Sequence, residues 1–375
     1  MLSVHWFLPT GGDSRDVVAD GVDSHRREPD LAYLAQVARA ADRLGFEGAL
    51  TPCGTACEDA WIATASLVPL TERLKLLVAF RPGLLSPTLA AQMASTYQRM
   101  SGGRLLLNIV IGAEDAESAR FGPSVDKATR YARAAEFLEV MRGAWSGEPF
   151  DFQGRFYEVT AATTRARPDP PPPVYFGGAS SEAEDVAARW SDVYLAWGEP
   201  PSMVGERVER MRAKAAAHGR ELRYGIRFHA ICRPTADEAW AAAGRLLQGM
   251  TPAAIASAQA DFATTASVGQ RRMAELHRDV DPTDIRSLEI HPNVWAGVGL
   301  VRGGAGTTLV GSHVEVADRV EEYAAVGFDE LILSGYPHLE EAYWCGEGLL
   351  PELRRRGLVA ELPAGGGGAA FSTFR

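Results

Sequence analysis

Arg227 and His229 stand two residues apart in the apolar run Tyr224-Gly225-Ile226-Arg227-Phe228-His229-Ala230. Alternate side chains of a strand share a face, so this run aims a guanidinium and an imidazole the same way. Buried cationic groups are costly unless an anion meets them. The run therefore reads as one wall of a site for a negatively charged ligand. Tyr336 and His338 follow a second apolar run, in Ser334-Gly335-Tyr336-Pro337-His338, while Trp197 closes a third and Asn108 lies within a fourth. A lone histidine at a strand end is most often structural; several such residues gathered at one end of a barrel point to chemistry.

Three further places suit an anion. Gly177-Gly178-Ala179-Ser180-Ser181 puts two glycines at a strand end and a serine at the start of the next helix, where free N–H groups and the helix dipole favour a phosphate. An ordinary serine N-cap explains the same residues. Tyr131, preceded by Arg130 near the start of another helix, is a second phosphate contact or a core aromatic. Arg302 sits in the glycine-rich Gly299-Leu300-Val301-Arg302-Gly303-Gly304-Ala305-Gly306. A mobile loop of that kind would close a guanidinium over an anion and exclude water; a solvated arginine beside a flexible linker is the bland alternative.

These residues need a scaffold that delivers strand ends to one place. Eight short runs rich in Val, Ile, Leu and Phe read as strands buried on both faces: Ser3–Leu8, Gly45–Thr51, Leu74–Phe80, Leu105–Ile111, Val174–Gly177, Val193–Trp197, Tyr224–Cys232 and Glu330–Ser334. Helical patterns such as Leu31–Leu44, Ala60–Val68, Thr88–Met100, Tyr131–Trp145 and Val204–His218 alternate with them. The alternation predicts a single α/β domain over residues 1–362, a (β/α)8 TIM barrel whose site lies on the loops after the strands. Two segments exceed the bare barrel. Residues 149–159 read as a hairpin turning at Gln153-Gly154. Thr251 to Gly311 is a long insertion between the seventh and eighth strands, the size of a lid or assembly surface. The tail 363–375, with glycines at 365–368, is expected to be disordered.

At 375 residues and 46% hydrophobic, the chain suits a soluble enzyme with a large core. A net charge of -10 without a basic stripe argues against nucleic acid. No apolar run reaches a membrane span, and the N-terminus lacks a charged leader, so a cytoplasmic location is expected. Cys53, Cys57, Cys232 and Cys345 are scattered except for the first pair. One C-x-x-x-C without further ligands is a weak metal signal, and half-buried thiols are the simpler reading.

Longer motifs narrow the expectation. Trp6-Phe7-Leu8-Pro9-Thr10, Cys57-Glu58-Asp59-Ala60-Trp61, Tyr175-Phe176-Gly177-Gly178, Trp197-Gly198-Glu199-Pro200-Pro201, Gly225-Ile226-Arg227-Phe228-His229, the stretch 295–306 and the stretch 333–343 together resemble the two-component alkanesulfonate monooxygenases, within the bacterial-luciferase-like flavin-dependent barrels. The resemblance runs from about Ser3 to Leu353. It implies reduced FMN (FMNH2) and O2 as co-substrates, a separate NAD(P)H-dependent FMN reductase, and C–S cleavage of a small anionic organosulfur substrate to an aldehyde and sulfite. A homodimer or homotetramer is implied as well. Carried over by position, Arg227, His229, Trp197, Tyr336 and Arg302 would form the pocket for sulfonate and oxygenated flavin, with His338 on the substrate side and Cys57 nearby. Asn108, Tyr131, Gly178, Ser180 and Ser181 would hold FMN. Ala79-Phe80 falls where this superfamily often has a non-prolyl cis peptide under the flavin.

Gly11, Cys53 and Ile111 depart from the family pattern and suggest altered substrate choice. The same flavin chemistry on a sulfone or specialised metabolite, a deazaflavin-dependent dehydrogenase and a non-catalytic flavin-binding barrel are the alternatives. Together, Arg227, His229, Tyr336 and Arg302 weigh against mere flavin storage.

Overall fold

In the computed structural model, residues 1–18, 26–112, 115–122, 125–265, 267–278 and 280–362 are described; the tail expectation falls outside them. Eight strands close on one another in chain order: β1 Ser3–Phe7, β2 Gly48–Thr51, β3 Lys75–Phe80, β4 Leu105–Ile109, β5 Val174–Gly177, β6 Val193–Trp197, β7 Arg223–Arg233 and β8 Glu330–Ser334. All eight neighbour pairs are parallel, and β8 returns to β1 through Ser3–Glu330 and His5–Ile332. The expected (β/α)8 barrel is present. Phe7, Leu50, Leu77, Leu106, Tyr175, Val193 and Ile332 pack together as one buried cluster. These are alternate strand positions, as a barrel filled by side chains requires.

Local chemistry sets the helix limits. Asp126 accepts from Thr129 N and caps a helix over Lys127–Ala144, which starts four residues before the predicted one. Pro201 opens the helix Pro201–Ala217 at the first turn, where its missing N–H costs nothing. The hairpin forms from Phe150–Gln153 and Glu158–Ala162, its turn held by the Glu136 carboxylate, which accepts from Arg155 N and Phe156 N, each at 2.8 Å.

The insertion is tied to the barrel more closely than expected. At eleven residues, β7 outruns its neighbours. Its lower half pairs with β6 and β8, and its upper half pairs in parallel with a strand at Thr308–Ser312. Arg227 O accepts from Gly198 N and His229 N donates to Thr307 O, so the added strand takes over the edge that β6 leaves. Helices Pro252–Ala263 and Val268–Glu275 precede it, and the glycine loop runs directly into it.

Candidate active site

A cleft of about 1040 Å³, counting its open mouth, lies at the C-terminal end of the barrel. Asn108 from β4, Gly178 and Ser180 after β5, Trp197 from β6, Arg227 from β7 and Tyr131 all line it. Six of the sequence-selected residues thus meet in one cavity.

Arg227 dominates the electrostatics. Its guanidinium carbon lies 4.4 Å from the centre of the Phe7 ring, and Nε and Nη2 are closed to water with no hydrogen-bond partner. Among the described residues it forms no ion pair. Burial, and then the neighbouring charge of Arg302, brings its pKa down to about 9. It is still a cation at neutral pH, held where the protein offers no counter-charge.

His229 is one residue pair further out and plays a different part. Ala305 O, which can only accept, lies 3.0 Å from Nε2, so that nitrogen carries the proton. Nδ1 then accepts from Ser334 Oγ at 2.9 Å. Burial, then the charges of Arg302 and Arg227, press the ring well below the usual histidine range. A neutral imidazole with both nitrogens engaged is a support, and its face stacks on Tyr336 at 5.3 Å.

Tyr336 in turn meets His338 edge-on at 5.5 Å, and His338 stacks on Phe7 at 5.3 Å. Rings and guanidinium therefore form a continuous belt from Arg227 to His229. Asp13 anchors it: Oδ1 lies 2.8 Å from His338 Nδ1, and Oδ2 accepts from His338 N and from the Tyr33 hydroxyl. Burial alone would raise the Asp13 carboxyl, but the bonds and charge of His338 hold it below its usual range. Asp13 escaped the sequence reading because its partner is 325 positions away.

The wall at Gly178 is built for close backbone approach. Gly178 has φ +147°, and a Cβ there would stand 2.5 Å from Ala183 Cβ and 3.4 Å from Tyr131 Oη. Ser180 caps the helix Ser181–Trp190 by accepting from Ala183 N and sits beside the Tyr131 hydroxyl. Ser181 heads that helix instead of lining the cleft. Ala79 is paired in register with Asn108 but stays buried beside the cleft. The cis peptides among the described residues are Asp169–Pro170 and Tyr336–Pro337. Ala79–Phe80 is therefore trans, a correction in line with the ordinary preference of non-prolyl bonds.

The insertion supplies a roof. A Cβ on Gly304 would lie 3.6 Å from Arg302 Nη1 and 4.0 Å from the Trp197 ring, so both side chains flank the glycine loop. Gln270 Oε1 accepts from Gly304 N at 2.8 Å. Gly269, on the same helix, packs against the Trp197 face. Arg272 from that helix and Arg207 from Pro201–Ala217 both grip Glu199, which is 1% exposed and follows β6. Glu199 falls within the Trp197–Pro201 motif, but Gln270 and Arg272 carry no local sequence signal; only the fold brings them together. Cys57 is half-buried, its thiol pushed up chiefly by burial. The Cβ position of Gly11 lies 3.7 Å from Cys57 Sγ.

The family model described as luciferase-like monooxygenase matches residues 2–330. Among solved structures, a riboflavin lyase with modified FMN and riboflavin is 21% identical at a TM-score of 0.78, covering 96% of this chain and 93% of that one. The EDTA monooxygenase of Chelativorans sp. BNC1 is 19% identical at 0.77, with coverage of 95% and 94%. A coenzyme F420 dependent tetrahydromethanopterin reductase from Methanopyrus kandleri is 16% identical at 0.65, with coverage of 94% and 99%. At these identities the solved structures speak for the fold.

Proposed function

This chain belongs to the luciferase-like monooxygenase family, and we propose that it is an FMNH2- and O2-dependent monooxygenase that cleaves the C–S bond of an alkanesulfonate. The observation that carries the reading is Arg227: a buried cation with unpartnered donors, lining the same cleft as Gly178 and Ser180, which suit a flavin phosphate. A sulfonate is a fixed anion with three acceptor oxygens, matched to guanidinium forks.

The residues present fit FMN. Gly178 leaves room for backbone to approach a phosphate, the Ser180 cap and Tyr131 hydroxyl converge beside it, and Asn108 offers an amide deeper in the cleft. Bound FMNH2 would supply the two electrons that activate O2. In the overall reaction one oxygen atom enters the aldehyde and the other leaves as water, with bisulfite as the second product. Arg227 would hold the sulfonate from below and Arg302 from the roof. Trp197 would wall the alkyl chain, with Nε1–H unpartnered among the described residues. Neutral His229 would fix Tyr336 by stacking and the roof by its bond to Ala305 O. Tyr336 would then place its hydroxyl to steady a proton near the reacting carbon. Water exclusion falls to the glycine loop, pinned by Gln270.

A separate NAD(P)H-dependent FMN reductase would deliver the flavin, and a homodimer or homotetramer is the expected assembly. The test combines protein, FMN, a flavin reductase, NADPH, O2 and a panel of alkanesulfonates, with sulfite measured. Sulfite release supports the proposal. Flavin oxidation without sulfite favours another substrate, and turnover only with a deazaflavin favours hydride transfer.

A further inference from the structure

A second cavity of about 700 Å³, counting its open mouth, adjoins the first, and the two share Ile111. Arg81, Arg130 and Arg133 all line it. None of the three is needed for the chemistry above. Arg81 is 9% and Arg130 6% exposed, so both charges sit close to the cavity with little water around them. Arg81 pairs with Glu117, and Arg130 bonds Asp115 at 2.8 Å and Val125 O at 2.7 Å. Donors are nonetheless left over: Nε and Nη1 of Arg81, Nε of Arg130 and Nε of Arg133 have no partner. Arg133 makes no ion pair or hydrogen bond at all among the described residues, and its guanidinium rests on Gly83, where any Cβ would collide with it.

Among the described residues, three guanidiniums thus face two carboxylates, one of which, Asp115, is 62% exposed and weakly coupled in water. The described lining leaves one positive charge unneutralised, on preformed, planar forks. Forks of this type match the paired oxygens of phosphate or carboxylate. The Arg81 guanidinium carbon is also 3.7 Å from the Cβ position of Gly112, which lines the main cleft. A ligand in one cavity is therefore within reach of the other.

We propose that this arginine-lined annex is an oxyanion subsite, separate from the flavin's phosphate seat at Gly178 and Ser180. It would take the second anionic end of a substrate whose reacting carbon lies in the main cleft. That last assignment rests on the proposed monooxygenase reading; the existence of the subsite does not.

The two are separable by experiment. Inorganic phosphate is titrated by 31P NMR line broadening into wild-type protein already saturated with FMN, and into Arg133→Gln and Arg133→Lys. Residual phosphate binding in the wild type, weakened about tenfold or more in Arg133→Gln and less in Arg133→Lys, is the expected result, because the lost bond is charge-assisted. FMN affinity should be the same in all three. Loss of all phosphate binding once FMN is present, or equal binding by the variants, overturns the subsite. In the sulfite assay, an ω-carboxyalkanesulfonate should then show a lower KM than the plain alkanesulfonate of equal length, and Arg133→Gln should erase the difference. Equal KM values in the wild type, with phosphate binding intact, would assign the subsite to free phosphate and overturn its role in substrate choice.

Discussion

Two charged groups are buried at opposite ends of the same barrel, and their surroundings differ completely. At the N-terminal end Glu330 of β8 is fully buried, with His5 Nε2 at 3.0 Å and Arg223 Nη1 at 3.0 Å. Burial would raise its carboxyl, but the bond and charge of His5, aided by Arg223, hold it below the usual range. At the C-terminal end Arg227, four residues along β7 from Arg223, meets no carboxylate among the described residues. A buried charge that the protein neutralises itself is part of the architecture. One that it leaves open is waiting for a ligand.

Substituting each group breaks the comparison in opposite ways. Arg227→Met should lose about 2–5 kcal/mol of anion recognition, at least roughly thirtyfold in kcat/KM for a sulfonate. Its melting temperature should hold or rise, since an uncompensated buried charge has been removed. Glu330→Ala should do the reverse. Stranding His5 and Arg223 should cost about 3–5 kcal/mol of stability, read by urea denaturation, while the folded fraction keeps its kcat/KM. Because the folded carboxyl lies below its unfolded value, the Glu330 contribution is present above the unfolded pKa and is lost as pH falls through the folded one. Wild-type stability should drop on acidification more steeply than that of Glu330→Ala.

A pH profile sharpens the same contrast. Arg227 is charged below about 9 and neutral above it, so kcat/KM for a sulfonate should fall as pH rises through about 9. Arg302→Ala should cost roughly tenfold in kcat/KM and move that falling limb upward, because a neighbouring positive charge no longer opposes protonation of Arg227. An unmoved limb would separate the two arginines. The smallest effect belongs to Gly11→His. A Cβ there stands 3.0 Å from Ala56 O and 3.7 Å from Cys57 Sγ, so the ring must turn toward the mouth. A shift of ~1 kcal/mol in chain-length preference, toward shorter sulfonates, should show in competition assays.

Much of this was legible in the sequence, for identifiable reasons. β5, β6 and β8 match the predicted ranges residue for residue, because short apolar runs between glycine, proline and polar residues leave little freedom. Arg227 and His229 were correctly paired on one face, since strand alternation is a local rule. Their opposite roles were not legible. His229 is kept neutral by burial and the charges of Arg302 and Arg227, and its two nitrogens are engaged by Ser334 and Ala305, which lie 105 and 76 positions away, while no described residue partners Nε or Nη2 of Arg227. The strand at Thr308–Ser312 was hidden inside the glycine-rich stretch, for it exists only because β7 is long enough to pair with it. The hold of Gln270 on Gly304 is likewise a tertiary fact.

The most direct test of the open-charge account is anaerobic calorimetry, titrating an alkanesulfonate into protein loaded with reduced FMN. The wild type should bind it and Arg227→Met should bind at least roughly thirtyfold more weakly, with FMN affinity equal in both. Equal sulfonate affinity in the two proteins would contradict the claim that the unpaired guanidinium is what the anion finds.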